Sequence, residues 1–249
     1  MTKNTAVALM IGRSQTKRLP KIITGRLKHH EKNTTTMHTR LISQPNADTL
    51  LVYFAGWGTP DSVAEAMAPA ADVLLCSDYR DTVLNFDFSR YRRIGVLAWS
   101  MGVWVAERAM QGVKVDWAAA VNGTGFPYDD QFGIPCAVFD QTLARFDERN
   151  RAKFEQRMCA DADSLAHYRR LDGHRSQQSL HDELSFLHQA VQADHHTDLL
   201  IWHEAWIGAR DRIIPAANQS AYWQSRCPVI EFDGGHYPYT HWPRWNEAT

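Results

Sequence analysis

The chain has 249 residues and a formal net charge of −1, and 44% of its residues are apolar or aromatic, close to the usual share for a soluble globular domain. No stretch of about 18 residues is free of charge, so we expect no membrane-spanning helix. The four cysteines are widely spaced and form no C-x-x-C pair, which argues against a disulfide scaffold or a cysteine zinc site and favours a cytoplasmic location.

Positive charge is concentrated at the N-terminus. Residues 1–36 carry eight basic side chains and one acidic side chain, whereas the rest of the chain carries 19 basic and 27 acidic ones. A nucleic-acid-binding domain normally places its positive charge on a folded face, so the acidic body argues against a nucleic-acid partner. We interpret residues 1–36 as a basic leader that is disordered or lies upstream of a working start at Met37.

Short apolar runs predict the strands of an α/β protein. In chain order they are residues 49–55, 72–76, 94–99, 115–121, 199–202 and 229–232, with a helix over 101–111 after the third run. Continuous apolar runs separated by helices or loops are typical of a parallel sheet that is covered on both faces. Between residues 126 and 193 the apolar residues instead recur at helical spacing. We therefore predict a core formed by residues 37–125 and 194–249, with the helical insertion, residues 126–193, between its fourth and fifth strands.

A serine lies where the third predicted strand meets the helix. The segment AWSMG, residues 98–102, resembles the nucleophile elbow G-x-S-x-G, with Ala98 in place of the first glycine. In such an elbow the serine hydroxyl stands above the sheet, and the N-terminus of the following helix points its N–H groups at the site. Ser100 is therefore the candidate nucleophile.

A serine hydroxyl is a weak nucleophile at neutral pH and needs an adjacent base that is oriented by an acid. After a nucleophile elbow the acid and then the histidine follow in chain order. Asp211 and His236 each follow one of the last two predicted strands, so we predict that they complete a triad with Ser100. If Asp211 does not orient the imidazole, the alternative acids are Asp78, Asp87 and Asp116.

An acyl-transfer site also needs donors for the oxyanion that forms during the reaction. The backbone N–H of Met101, directly after Ser100, is one candidate. The second is the N–H of Trp57 in a Gly-Trp-Gly turn after the first predicted strand, where glycines permit close approach of the backbone to a ligand.

Longer blocks resemble the BioG-type pimeloyl-acyl-carrier-protein methyl ester esterases of the α/β-hydrolase superfamily. The blocks are YFAGWGTP (53–60), AWSMGVWVAER (98–108), AVNGTG (120–125), FGIP (132–135), RD (210–211) and PAANQ (215–219). The resemblance runs from about Met37 to the C-terminus. It implies an α/β-hydrolase fold with a mostly parallel central sheet and an inserted α-helical lid. By the same resemblance Ser100 matches the nucleophile, His236 the base, Trp57 the oxyanion loop and Asp211 the acid.

The activity that the resemblance implies is removal of the methyl ester from a pimeloyl chain carried on acyl carrier protein, a step in biotin biosynthesis. Such a substrate needs an apolar slot. Candidate pocket residues in the helical insertion are Phe139, Leu143, Phe146 and Phe154, which could equally pack the insertion onto the core.

The carrier protein is acidic and needs a basic surface. Arg145, Arg149, Lys153 and Arg157 recur every four residues and would form one basic stripe on a continuous helix, which could steer an acidic partner. Interspersed acidic residues also fit a solvated face, and a helix break near Asn150 would split the stripe. Further candidates for this contact are Arg169 and Arg170.

Other interpretations remain open from the sequence. Within serine hydrolases the alternatives are a general carboxylesterase or an acyl-thioesterase. A non-catalytic module that binds acyl carrier protein is the alternative of a different class. The clustered histidines, including His195 and His196, lack metal-specific spacing. We therefore expect no cofactor, no metal and no membrane partner.

Overall fold

The fold is a sheet covered by helices, in a computed structural model that describes residues 36–65 and 71–241. The predicted leader lies outside these residues except for Thr36. The strands are β1 (His38–Ile42), β2 (Thr49–Phe54), β3 (Asp72–Ser77), β4 (Arg93–Trp99), β5 (Trp117–Val121), β6 (Glu204–Gly208) and β7 (Val229–Phe232). Within the described residues they form one sheet in the order β1-β3-β2-β4-β5-β6-β7. Each neighbouring pair is parallel except β1, which pairs antiparallel with β3.

The helices lie between the strands along the chain. They are α1 (Ser62–Glu65), α2 (Met101–Ala109), α3 (Cys136–Ala144), α4 (Glu148–Cys159), α5 (Ala162–Arg170), α6 (Gln177–Ala193) and α7 (Ala216–Trp223). Helices α3 to α6 all fall between β5 and β6, the segment in which the helical insertion is predicted. In the described parts of the chain, none of the helices has both the length and the apolarity needed to cross a membrane.

The central strands are buried on both faces, as expected for parallel strands with helices above and below. In β2, Leu50 and Val52 belong to the apolar cluster on one face of the sheet, while Leu51 and Tyr53 belong to the cluster on the other. Successive side chains of a strand point to opposite faces, so a strand that contributes to two cores must be apolar throughout. This explains why the strand predictions near residues 49–55, 72–76 and 94–99 are correct.

The prediction of a strand at residues 199–202 is wrong. The strand here is β6, which begins at Glu204. Ile201 is 81% exposed, and the Trp202 indole N–H donates to the buried Glu107 carboxylate at 3.0 Å. The apolar run at 199–202 therefore belongs to a connection that packs one large side chain, whereas the true strand starts with a charged residue.

The strand β1 is absent from the sequence prediction. Four of its five residues are exposed, because it is an edge strand that pairs with β3 alone. Its polar sequence HTRLI has no buried face to produce an apolar run.

Candidate active site

Ser100 occupies a sharp turn between β4 and α2. Its backbone has φ 58° and ψ −126°, a strained conformation for a non-glycine residue that is typically found at functional sites. Gly102 in the first turn of α2 makes this turn possible, because a Cβ there would lie 2.3 Å from the carbonyl oxygen of Phe54. The serine N–H donates to the carbonyl of Val121 at 3.0 Å. The predicted elbow is therefore present, with the end of β2 packed directly against the start of α2.

A chain of two hydrogen bonds connects Ser100, His236 and Asp211. His236 Nε2 lies 2.8 Å from Ser100 Oγ, and His236 Nδ1 lies 2.8 Å from Asp211 Oδ2. All three residues are buried. With Nδ1–H donating to the carboxylate, Nε2 is left as an acceptor for the serine proton, which is the tautomer that general-base activation requires. The three residues selected from sequence therefore converge, although they are separated by up to 136 positions.

The carboxylate of Asp211 has three further donors. Its Oδ1 accepts from the backbone N–H groups of Ile213 and Ile214, at 2.8 and 3.1 Å. Its Oδ2 accepts from the side-chain amide of Gln219 at 2.9 Å. Gln219 lies on α7 and is fully buried, and sequence reasoning missed its contribution. Its place in the PAANQ block was the only signal for it.

The loop that carries His236 is held by two side chains from neighbouring strands. The amide of Asn122, directly after β5, donates to the carbonyls of Gly235 and His236 at 2.9 and 3.0 Å. The Trp99 indole N–H also donates to the His236 carbonyl, at 2.8 Å. Asn122 has a positive φ of 47°, and the sequence assigned it no role beyond its place in the AVNGTG block. Together these bonds fix the position of the imidazole relative to the elbow.

The alternative acids are engaged elsewhere. Asp78 pairs with Arg175 and Arg80. Asp87 accepts from the backbone N–H of Ser89, and Asp116 accepts from the backbone N–H of Ile94. Within the described ranges, the carboxylate that is hydrogen-bonded to the His236 imidazole is that of Asp211. In the same residues no group of three or more histidine, cysteine, aspartate or glutamate side chains is arranged to hold a metal ion.

The two residues that carry the candidate oxyanion donors both line the cavity at Ser100. Trp57 and Met101 line the same cleft as Ser100 and His236, which we call the serine cleft. The Trp57 indole N–H donates to the carbonyl of Leu180 on α6 at 2.9 Å. The indole also packs edge-on against Phe146 and Phe154, with ring centroids 5.2 Å away in each case. The loop with the Trp57 N–H is therefore held by the helical insertion.

A buried carboxylate on α6 also holds the loop that contains Trp57. Glu183 is fully buried and accepts from the backbone N–H groups of Gly58 and Tyr79, at 3.3 and 3.1 Å. It also pairs with Arg175, which in turn pairs with Asp78. Burial raises the pKa of Glu183, and the Arg175 guanidinium opposes that rise. Sequence reasoning missed Glu183, because a glutamate within a helix carries no signal of burial.

The serine cleft contains about 500 Å³ of empty space, part of it open to solvent. Apolar side chains dominate its lining, among them Phe139 and Phe154 of the predicted pocket set. Leu143 does not line it and instead packs against the apolar core. Phe146 lines a neighbouring groove rather than the cleft. Two of the four predicted pocket residues therefore face the space next to Ser100.

The four cations of the predicted basic stripe do not lie on one helix, because Arg145 falls in the connection between α3 and α4. Helix α3 ends at Ala144 and α4 begins at Glu148, so the break comes before Asn150 and Arg145 lies outside the helix that carries the other three. Arg149 and Lys153 are exposed on α4, whereas Arg157 is partly buried. Of the two alternatives left open, a continuous helix and a break near Asn150, the structure has the break, because Asp147 caps the start of α4 with its carboxylate and begins a new helix.

A second cavity adjoins the serine cleft on the side of α4. Its lining carries three cations and no carboxylate, and we call it the basic groove. The groove is lined by Gln141, Thr142, Arg145, Phe146, Asn150, Lys153, Phe154 and Arg157. The further candidate Arg169 is instead paired with Glu155 at 3.4 Å.

Comparisons with known proteins agree on one family. The family model described as "Pimeloyl-ACP methyl esterase BioG" matches residues 37–248. A crystal structure of BioG from Haemophilus influenzae is 44% identical, with a TM-score of 0.79, covering 84% of this chain and 100% of that chain. An uncharacterized protein of Haemophilus influenzae is 47% identical over 199 residues, which are 79% of this chain and 92% of that protein.

A longer relative comes from Bacteroides fragilis. It is named malonyl-[acyl-carrier protein] O-methyltransferase and is 36% identical over 194 residues, which are 75% of this chain and 39% of that protein. More distant solved hydrolases and esterases, 11–16% identical with TM-scores of 0.54–0.58, share the fold alone. The predicted α/β-hydrolase fold, with its mostly parallel central sheet, is thereby confirmed.

Proposed function

Since this chain belongs to the BioG family of pimeloyl-ACP methyl esterases, we propose that it hydrolyses pimeloyl-acyl-carrier-protein methyl ester to pimeloyl-acyl-carrier protein and methanol, by serine catalysis. The chain is an ester hydrolase by its family. The observation that carries the mechanism is the buried chain of hydrogen bonds from Ser100 through His236 to Asp211 beside an apolar cleft. Such a chain supplies a nucleophile, a base and an orienting acid.

In the proposed mechanism His236 Nε2 takes the hydroxyl proton as Ser100 Oγ attacks the ester carbonyl. The resulting oxyanion accepts hydrogen bonds from the backbone N–H groups of Met101 and Trp57. The imidazolium, stabilised by Asp211, gives its proton to the leaving methoxide, and methanol departs. Water, deprotonated by the same imidazole, attacks the acyl-enzyme and releases the free carboxylate together with the serine hydroxyl.

The apolar lining of the serine cleft favours a substrate with a hydrocarbon chain. Burying methylene groups against side chains such as Phe139 and Phe154 contributes about 0.8 kcal/mol for each group. The thioester at the other end of the pimeloyl chain is more reactive than the methyl ester. It survives in this proposal because the chain holds it away from Ser100 while the ester is at the nucleophile.

Acyl carrier protein is the proposed partner, and a substrate on this carrier implies that the enzyme works in the cytoplasm. The relative from Bacteroides fragilis carries a name that refers to a carrier-linked acyl group. Arg145 and Lys153 are exposed cations that line the basic groove, and Arg149 is exposed on the same helix as Lys153. A basic rim of this kind steers an acidic partner to the site and speeds association.

The test is genetic. We expect this chain to restore growth without biotin to a bacterium that lacks its own pimeloyl methyl esterase, and Ser100→Ala to abolish the rescue. A fluorophosphonate probe should label the native protein and fail to label Ser100→Ala. Hydrolysis of simple esters without rescue would favour a general carboxylesterase. Release of the carrier's thiol from the substrate would favour an acyl-thioesterase.

A further inference from the structure

Arg157, in the last turn of α4, has no hydrogen-bond or ion-pair partner for its side chain among the residues that the structure describes. Its Nε is buried and makes no hydrogen bond, and no ion pair to this side chain is formed within residues 36–65 and 71–241. The same helix shows the usual arrangement at Arg151, which pairs with Glu155 at 3.1 Å. Buried polar groups nearly always have a partner, so an unpaired guanidinium nitrogen in a cleft indicates a group that is supplied by a ligand.

The position of Arg157 relates it to the substrate. It lines both the serine cleft and the basic groove, as do Thr142 and Phe154. The two cavities therefore meet at these three residues. An acyl chain whose ester lies at Ser100 and whose carrier lies outside passes from the apolar cleft to the polar groove at this junction.

The chemistry at this junction changes from methylene groups to a thioester. With its ester at Ser100, a diacid chain of matching length would place its second carbonyl group where the apolar lining ends. Removing that carbonyl oxygen from water carries a free-energy cost unless a donor replaces the water. Guanidinium presents several N–H donors in a planar fork and stays charged at any working pH.

We propose that Arg157 is a specificity-determining residue that donates hydrogen bonds to the thioester carbonyl at the carrier end of the substrate. The enzyme then selects the length of the acyl chain by the distance between Ser100 and Arg157. This inference rests on the proposed function and assigns Arg157 to the acyl chain rather than to the surface of the carrier protein.

The experiment compares two classes of methyl ester that share the same reacting end. One class is the N-acetylcysteamine thioesters of monomethyl diacids with five, seven or nine carbons. The other is methyl heptanoate, which has no second carbonyl. We measure kcat/KM for methanol release with the native protein, Arg157→Met and Arg157→Lys. Arg93→Met serves as the matched control, because Arg93 is exposed at the start of β4, the end of the strand opposite Ser100.

We expect Arg157→Met to lower kcat/KM for the preferred thioester by about 10- to 100-fold, the effect of losing one charged hydrogen bond, and to flatten the dependence on chain length. Arg157→Met should hydrolyse methyl heptanoate at least as fast as the native protein does, because this ester has no second carbonyl to bind and the new lining is more apolar. Arg157→Lys should retain part of the selectivity, and Arg93→Met should change nothing. The melting temperature of Arg157→Met should equal or exceed that of the native protein, because the substitution removes an unsatisfied buried donor.

Two outcomes would overturn this inference. One is an equal loss on the thioesters and on methyl heptanoate, with or without a lower melting temperature, which would indicate a structural role. The other is a loss of kcat/KM seen only when the substrate is attached to the whole carrier protein, which would indicate that Arg157 contacts the carrier protein instead of the acyl chain. A failure of the proposed function is distinguishable in the native protein alone. A general carboxylesterase would hydrolyse methyl heptanoate as readily as the seven-carbon thioester, an acyl-thioesterase would release the thiol in place of methanol, and a protein without esterase activity would hydrolyse none of these methyl esters.

Discussion

Replacing Asp211 by asparagine tests the central geometry, because it changes one oxygen of the triad to a nitrogen. Asp211 Oδ1 accepts from two backbone N–H groups, and Oδ2 accepts from His236 and Gln219. The two backbone donors retain the amide oxygen of the new side chain, so its NH2 group must face His236. The imidazole then turns to the tautomer with the proton on Nε2, which is unable to accept the proton of Ser100.

From this change of tautomer we expect kcat to fall by about 10³- to 10⁴-fold, equivalent to about 4–5.5 kcal/mol in the activation barrier. The free energy of unfolding should fall by about 1–3 kcal/mol, because a rotated Gln219 amide can present its Oε1 to the new NH2 group but gives up the bond from its Nε2 to the carbonyl of Ile214. Asp211→Ala is the contrasting variant. It leaves the two backbone N–H groups without an acceptor and should lower stability by about 2–6 kcal/mol.

The assay is steady-state hydrolysis of a p-nitrophenyl ester at neutral pH, with urea unfolding of each variant alongside. An Asp211→Asn protein that stays folded and keeps more than a tenth of the native kcat would refute the assignment of Asp211. It would also refute the tautomer argument, which holds that His236 in the folded Asp211→Asn protein is unable to act as a base.

Three further predictions concern other parts of the molecule. Arg145→Glu combined with Arg149→Glu should reduce kcat/KM for the carrier-bound methyl ester by about 10-fold or more and leave a p-nitrophenyl ester unaffected, since charge reversal weakens association with an acidic partner; equal losses would remove the docking idea. Burial raises the pKa of Glu107 from its ordinary 4.5 to about 7, so its contribution to stability is complete below pH 4.5 and is lost as pH rises through 7. Glu107→Gln should therefore be more stable than the native protein at pH 8, by up to about 3 kcal/mol in urea unfolding, and a gain that is independent of pH would contradict this. Glu183→Gln breaks a buried ion pair and should lower the free energy of unfolding by about 3–5 kcal/mol, with a lower kcat because the loop at Trp57 loosens; a native kcat in the folded variant would show that this loop needs no such support.

The sequence predicts those parts of the site that depend on chain order and on strand ends. Ser100, Asp211 and His236 could be found because each lies within four residues of the end of a strand, and the carboxyl ends of parallel strands meet at one edge of the sheet. Asp211 could be found even though the preceding strand was placed several residues too early, since the prediction needed only that a strand precede it. Trp57 follows the same rule.

The parts that the sequence does not reveal depend on contacts between distant segments. Gln219 is 8 residues from Asp211, but its orientation follows from the packing of α7 against β6. Glu183 lies more than 100 residues from Gly58 and Tyr79, and its hydropathy alone would place it on a surface. The split of the basic stripe follows from one cap at Asp147, which outweighs the spacing of four residues that suggested a continuous helix.

The clamp on Trp57 has a consequence for how this protein could evolve or be engineered. Its indole is hydrogen-bonded to α6 and packed between aromatic rings of the insertion. The oxyanion loop and the helical insertion therefore move together. Shortening or displacing the helical insertion to admit bulkier esters would displace the turn at Trp57, which carries the second hydrogen-bond donor to the oxyanion. A broader substrate range would then come with slower turnover. The less damaging route to new substrates is to change side chains that line the serine cleft and leave the contacts of the insertion with Trp57 in place.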